Sequence, residues 1–109
     1  MAKFIVKPTG PFRKDLKLAK RRNLPLSDLY KVVGMLENDE PLPANLHNHM
    51  LTGDYKGYWE CHIRSAQRDA LLAKNPDWLL LYEKDTEIRI ISLYRTGTHA
   101  DIFGKGKKR

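Results

Sequence analysis

The chain has 109 residues, 41% of them hydrophobic, and a formal net charge of +7, with an isoelectric point near 9.6. That length suits one domain with a single core rather than two, and the apolar share is that of a folded globular protein. A basic balance of this size points to a polyanion or an acidic protein partner, with plain solubility as the alternative that charge alone leaves open. The one cysteine, Cys61, excludes an intramolecular disulfide and fits a reducing compartment. The N-terminal MAKFIVKPTG lacks the apolar core of a secretion signal, and no stretch approaches the ~20 apolar residues of a membrane span. A soluble, cytoplasmic protein is expected.

Residues 4–6 are apolar and partly β-branched and are closed by Pro8 and Gly10, which predicts a short first strand. Over residues 12–22 the period becomes helical: Phe12, Leu16 and Ala19 recur on one side, and most other positions are basic. Asn23 and Pro25 end that helix. A second helix is expected from Ser27 as N-cap, with Asp28 in its first turn and Leu29, Val32, Val33 and Leu36 as its buried stripe. Gly34 inside it costs ~1 kcal/mol relative to alanine, which suggests a close packing contact. Residues 40–46, with two prolines, form a loop.

From Gly57 the period drops to two. Trp59, Cys61 and Ile63 share one face of a strand, and Tyr58, Glu60, His62 and Arg64 share the other. On that reading Cys61 is a buried structural thiol rather than a nucleophile. Residues 65–75 interrupt the meander, with Ala66, Ala70, Leu71 and Leu72 suited to a turn or two of helix. Residues 78–82 form a dense apolar strand, 84–86 a tight turn, and 88–94 the returning strand of a hairpin. The expected fold class is α+β, a small antiparallel β-sheet with two N-terminal α-helices packed on it. Residues 1–104 make one domain, and 105–109 a basic C-terminal tail.

The segment YRTGTHADIF, residues 94–103, combines groups suited to a phosphodiester. Arg95 can clamp phosphate oxygens, His99 can move a proton near neutral pH, and Phe103 can hold a base or a hydrophobic edge. The other histidines are His47, His49 and His62. His47 and His49 would both reach a metal if their segment were extended, with His62 or His99 completing a set. No cysteine or acidic residue stands at a familiar ligand spacing, however, and the pair lies in an apparent loop, so no metal or other cofactor is expected. Each residue has a plain reading when taken singly: a surface His62, a loop His49, a capping Asp77, a core Trp78, a solvated basic helix face.

The order in which they occur is more specific. The runs His49-Met50-Leu51-Thr52-Gly53, Lys56-Gly57-Tyr58-Trp59-Glu60-Cys61-His62, Pro76-Asp77-Trp78 and Arg95-Thr96-Gly97-Thr98-His99, followed by Phe103, closely resemble the YafQ branch of the RelE toxin superfamily. The basic first helix, the Leu42-Pro43-Ala44 loop and the strand order match as well, so the resemblance covers nearly all of residues 3–104. It departs at 64–75, which is longer than in compact relatives, and at the extra tail.

The resemblance implies a RelE-like fold and a metal-independent, ribosome-dependent endoribonuclease that cleaves messenger RNA in the A site. Its active residues would be His49, His62, Asp77, Arg95 and His99, with Trp78, Phe103 and Lys56 in support. RNA carries its own nucleophile, the 2′-OH, so the enzyme needs a base for that hydroxyl, an acid for the departing 5′-oxygen and a cation for the phosphorane charge. Arg95 suits charge stabilisation and His99 the acid, while Asp77, His49 and His62 compete for the base. The products would be a 2′,3′-cyclic phosphate and a 5′-hydroxyl. The implied partners are an acidic, DinJ-like antitoxin, the ribosome with its mRNA, and operator DNA through the antitoxin complex only. Two rivals are a non-catalytic, ParE-like member that inhibits gyrase and a simple basic RNA-binding module.

Overall fold

A strand segment that is apolar at every position must be covered on both faces, and the molecule is organised around one, residues 79–82. A computed structural model describes residues 3–63 and 78–104. In chain order these form β1 (Ile5–Pro8), α1 (Gly10–Arg21), α2 (Leu26–Glu37), β2 (His49–Met50), β3 (Trp59–His62), β4 (Leu79–Asp85), β5 (Ile90–Gly97) and α3 (His99–Phe103), with single 3-10 turns at Ala44–Leu46 and Gly53–Tyr55. The strands make one sheet in the order β1-β5-β4-β3-β2.

The residues of β4 divide between two cores. Leu80 and Tyr82 meet the helices, packing with Phe12 and Ala19 of α1, Leu29, Val32 and Leu36 of α2, and Cys61, Ile91 and Leu93 from neighbouring strands. Leu79 and Leu81 face the other way, into a smaller cluster with Leu51, Ile102 and Phe103, edged by Tyr55, Tyr58 and Tyr94. The α+β expectation holds. The sheet is antiparallel over β2 to β5, but β1 runs parallel to β5, with Ile5 opposite Ile90 and Pro8 opposite Leu93. Because α1 and α2 lie between β1 and the meander, the chain can return on either edge, and local pattern does not choose.

α1 starts two residues before the expected Phe12. The Thr9 hydroxyl accepts from the Phe12 amide at 3.2 Å, and Lys20 and Arg21 stand in the last turn, where the helix dipole favours cations. α2 begins at Leu26 with Pro25 at the cap position and no side-chain cap, so Ser27 is inside the helix rather than capping it. Of its stripe, Leu29, Val32 and Leu36 are buried and Val33 is partly covered. A methyl group added at Gly34 would touch nothing within 4 Å, so no packing contact explains that glycine.

The hairpin turn lies at 86–89, slightly later than expected, because the Asp85 carboxylate accepts from the amides of Glu87 and Ile88 and holds the strand through Asp85. Strand β5 runs on to Gly97, with a register step at which Leu81 faces Arg95 and Tyr82 faces Leu93, leaving Tyr94 as the extra residue of a bulge. The short helix proposed around Ala66 and Leu71, residue Asp77 and the basic tail lie outside the described residues. No described helix is long and apolar enough to cross a membrane.

Candidate active site

The face of the sheet opposite the two long helices carries the histidines. Strand β3 alternates as expected, sending Cys61 and Ile63 into the helix-side core and leaving Glu60 and His62 for the other face. Burial pushes the Cys61 thiol up to about 12, with the nearby Glu60 carboxylate adding to the shift. It is a packing residue, as its alternation suggests.

His49 stands on the two-residue strand β2, directly opposite Glu60. That pairing brings its Nε2 to 2.8 Å from Glu60 Oε1, while Nδ1 lies 3.4 Å from the Met50 carbonyl oxygen. The segment is thus an edge strand rather than a loop. His99 opens α3, and its Nε2 is 3.7 Å from Glu60 Oε2. The His62 ring lies 6.3 Å from that of His99 and 5.7 Å from that of His47, both edge-on. Two of the five expected catalytic residues, His49 and His99, therefore face one carboxylate, and His62 and His47 border them.

Glu60 is the residue that sequence reasoning missed. It is 2% exposed, and among the described residues it is the one fully buried acidic side chain. The signal was present in the alternation that puts it beside His62. What hid it is that a glutamate on a sheet face normally reads as solvated, since a buried carboxylate needs partners to offset its desolvation.

α3 was also not anticipated. Thr98 and Asp101 form a reciprocal capping box: the Thr98 hydroxyl accepts from the Asp101 amide, and the Asp101 carboxylate accepts from the Thr98 amide, each at 3.0 Å. The spacing Thr-x-x-Asp is the readable trace of it. This cap fixes His99 at the first helical position. Phe103, one turn on, puts its ring 6.0 Å from that of His99 and 4.9 Å from Tyr55. It is buried and anchors the helix to the sheet. Gly97 makes the approach possible, because a Cβ there would sit 3.0 Å from the Asp101 side chain and its φ is +154°.

Arg95 is held by groups outside the histidine cluster. Its Nε and Nη2 donate to the Asp15 carboxylate of α1 at 2.6 and 3.2 Å, and Nη2 also donates to the Asp101 carbonyl at 3.2 Å. The hydrogen bonds that it donates to Asp15 raise the guanidinium above its already high ordinary value against the opposing effect of burial. Asp15 also accepts from the Thr96 amide at 3.0 Å, so one carboxylate ties the helix to the strand edge beyond the end of β1. Arg95 lines a cleft of about 390 Å³ together with Gly10, Pro11, Lys14 and Asp15.

Trp78 is core: it is 1% exposed and its indole donates to the Thr96 hydroxyl at 2.9 Å. Lys56 is exposed at the end of the second 3-10 turn. Among the described residues no group of three or more histidine, cysteine, aspartate or glutamate side chains is arranged to hold a metal ion.

This geometry can be set beside known proteins. The family model described as the bacterial toxin of type II toxin–antitoxin system, YafQ, matches residues 5–104. The chain is 37% identical over 97 residues to the mRNA interferase toxin YafQ of Escherichia coli K12, an alignment that spans 88% of this chain and 91% of that protein. Its fold is similar to the crystal structure of YafQ from E. coli BL21(DE3), with a TM-score of 0.77 and 32% identity over 93% of this chain and 99% of that one. It is equally similar to YafQ in the E. coli DinJ–YafQ toxin–antitoxin complex, with a TM-score of 0.76 and 33% identity over 94% and 99% of the two chains.

Proposed function

This chain belongs to the YafQ family of bacterial type II toxins, and on that premise we propose that it is an endoribonuclease that cuts messenger RNA in the ribosomal A site without a metal ion. The observation that carries the reading is the approach of His49 and His99 to the buried Glu60 carboxylate, with the His62 ring 6.3 Å from that of His99. Imidazoles suit both proton tasks of 2′-OH attack, because their unperturbed pKa of about 6.5 lets one accept and another donate near neutral pH.

In this reading His99 protonates the departing 5′-oxygen. His62 and His49, on the same face, and Asp77 are the candidates for the base that takes the 2′-OH proton. Electrons move from that oxygen to phosphorus as the P–O5′ bond breaks, which leaves a 2′,3′-cyclic phosphate and a 5′-hydroxyl. Arg95 supplies charge by exchanging the Asp15 carboxylate for a phosphate oxygen, an exchange between two oxyanions that its planar fork grips alike. Trp78 and Phe103 support from behind, the first through Thr96 and the second by anchoring α3. Lys56 meets the RNA backbone from its exposed turn. An acidic antitoxin of the DinJ kind is the natural partner of so basic a surface, in keeping with the DinJ–YafQ complex to which the fold is similar.

Substituting His99→Ala should lower cleavage of ribosome-bound mRNA by about 10²–10⁴-fold, the usual loss of a general acid, and relieve growth arrest while the circular dichroism spectrum is kept. Primer extension after brief induction should show discrete cuts inside translated codons in wild type, and chelators should not suppress them. Intact mRNA together with inhibited gyrase in arrested cells would replace this reading by the gyrase-directed one.

A further inference from the structure

We propose that Glu60 is the positioning residue of this site, a buried carboxylate that fixes the protonated edge of His49, stands behind His99, and so decides which His49 nitrogen is left for RNA. The inference rests on the ribonuclease reading for its function, though not for its geometry.

A carboxylate accepts hydrogen bonds and does not donate them. With Glu60 Oε1 at 2.8 Å, Nε2 of His49 must therefore carry the proton. Nε2 of His99 lies at 3.7 Å from the other oxygen, an ion-pair distance rather than a hydrogen bond. The two oxygens of one side chain thus address two imidazoles that come from opposite ends of the fold, β2 and α3. Glu60 is only 3% exposed at its side chain, against 44% for His49 and 38% for His99. The histidines can meet a substrate and the carboxylate behind them cannot, so Glu60 positions and does not itself take the 2′-OH proton.

The surroundings sharpen this role. On its own strand the titratable neighbours are His62 on the same face and the Cys61 thiol on the other. β2 contributes His49 and α3 contributes His99, while β4 contributes the apolar Leu79 and Leu81 and, further along beside Tyr58, the Glu83 carboxylate. No described lysine or arginine is paired with Glu60, and the groups its two oxygens face are the imidazoles of His49 and His99. Holding an imidazole by a buried carboxylate selects its tautomer and its rotation, which is how such dyads act in hydrolases.

The test combines kinetics with nitrogen spectroscopy. Glu60→Gln keeps the shape and removes the charge; it should slow ribosome-dependent cleavage by about 10–100-fold. The KM for programmed ribosomes should stay unchanged, and the pH–rate profile should move. Glu60→Asp, which keeps the charge, should recover part of the rate. In ¹⁵N spectra of the wild-type protein, His49 should show a protonated Nε2, and its shifts should move in Glu60→Gln, where a neutral amide replaces the anionic acceptor.

A folded Glu60→Gln protein with wild-type rates and unchanged histidine ¹⁵N shifts would overturn the proposal. If Glu60→Gln does not fold, the wild-type spectrum decides alone: an unprotonated His49 Nε2 overturns it. Wild-type protein that shows the ¹⁵N pattern yet cuts no mRNA would reject the ribonuclease reading and leave the placement by Glu60 standing.

Discussion

Asp15 shows how one side chain can hold several parts of a small protein. It takes two hydrogen bonds from Arg95 and one from the Thr96 amide, with its side chain 11% exposed. Removing it would leave a half-covered cation and a strand amide without their acceptor, an uncompensated loss that costs more than the pair itself contributes. Asp15→Ala should destabilise the fold by roughly 2–3 kcal/mol in urea melts, on the scale of a buried group left unsatisfied. The exposed pair of Lys84 and Asp39 is also short, 2.9 Å, yet Asp39→Asn should leave the melt unchanged because solvent screens it. A midpoint shift for Asp39→Asn as large as that for Asp15→Ala would mean that burial does not rank these contacts. At this scale the sequence was a fair guide to chemistry. The imidazoles and Arg95 were legible from type and order, but their partners Glu60 and Asp15 were not, because partners are chosen by packing.

Elements tell a similar story. Periodicity found α1, α2 and the β4–β5 hairpin because each buries one regular stripe, whereas α3 is a five-residue helix too short for a period. Only its capping box was written locally. Two glycines show the difference between an element and its surroundings. Gly34 lies in α2 with open space where a Cβ would stand, so Gly34→Ala should stabilise by about 0.5–1 kcal/mol through helix propensity alone. Gly97, with a positive φ and the Asp101 side chain 3.0 Å from its missing Cβ, should lose about 1–3 kcal/mol as alanine. Because α3 carries His99, Gly97→Ala should also slow cleavage. Thermal melts of the two variants that move in the same direction would refute the distinction.

Across the whole molecule, the first helix is tied to the last. Arg22, just past α1, donates to Asp101 of α3 at 2.8 Å across 79 residues of sequence. That hydrogen bond, opposed by partial burial and aided by the Thr98 amide, holds the Asp101 carboxyl below its ordinary value of 3.8. A carboxyl lowered in the folded state binds fewer protons there than in the unfolded chain. Its stabilising contribution is therefore complete above the ordinary value and is lost as pH falls below it. Asp101→Asn should flatten the fall in stability as pH drops below the ordinary carboxyl value of 3.8, measured by denaturant midpoints. An unchanged acid limb would assign that fall to other carboxylates. The same variant breaks the α3 cap, so cleavage should weaken even at neutral pH, where the pair is fully formed.

The net charge of +7 acts on this scale too, since it favours polyanions and acidic partners without naming one. Composition and order alone determined the basic character, the two long helices, the dense apolar strand that became β4 and the histidine set, because these depend on residue type and on near-neighbour spacing. The tertiary structure decided the parallel place of β1, the α3 platform, the burial of Trp78 and the pairing of Arg95 with Asp15. It also decided that His49 and His99, 50 positions apart in the sequence, meet at Glu60. The physical reason is that a buried carboxylate is stable only where strands and helix bring it partners, and those contacts span distances over which local spacing carries no information.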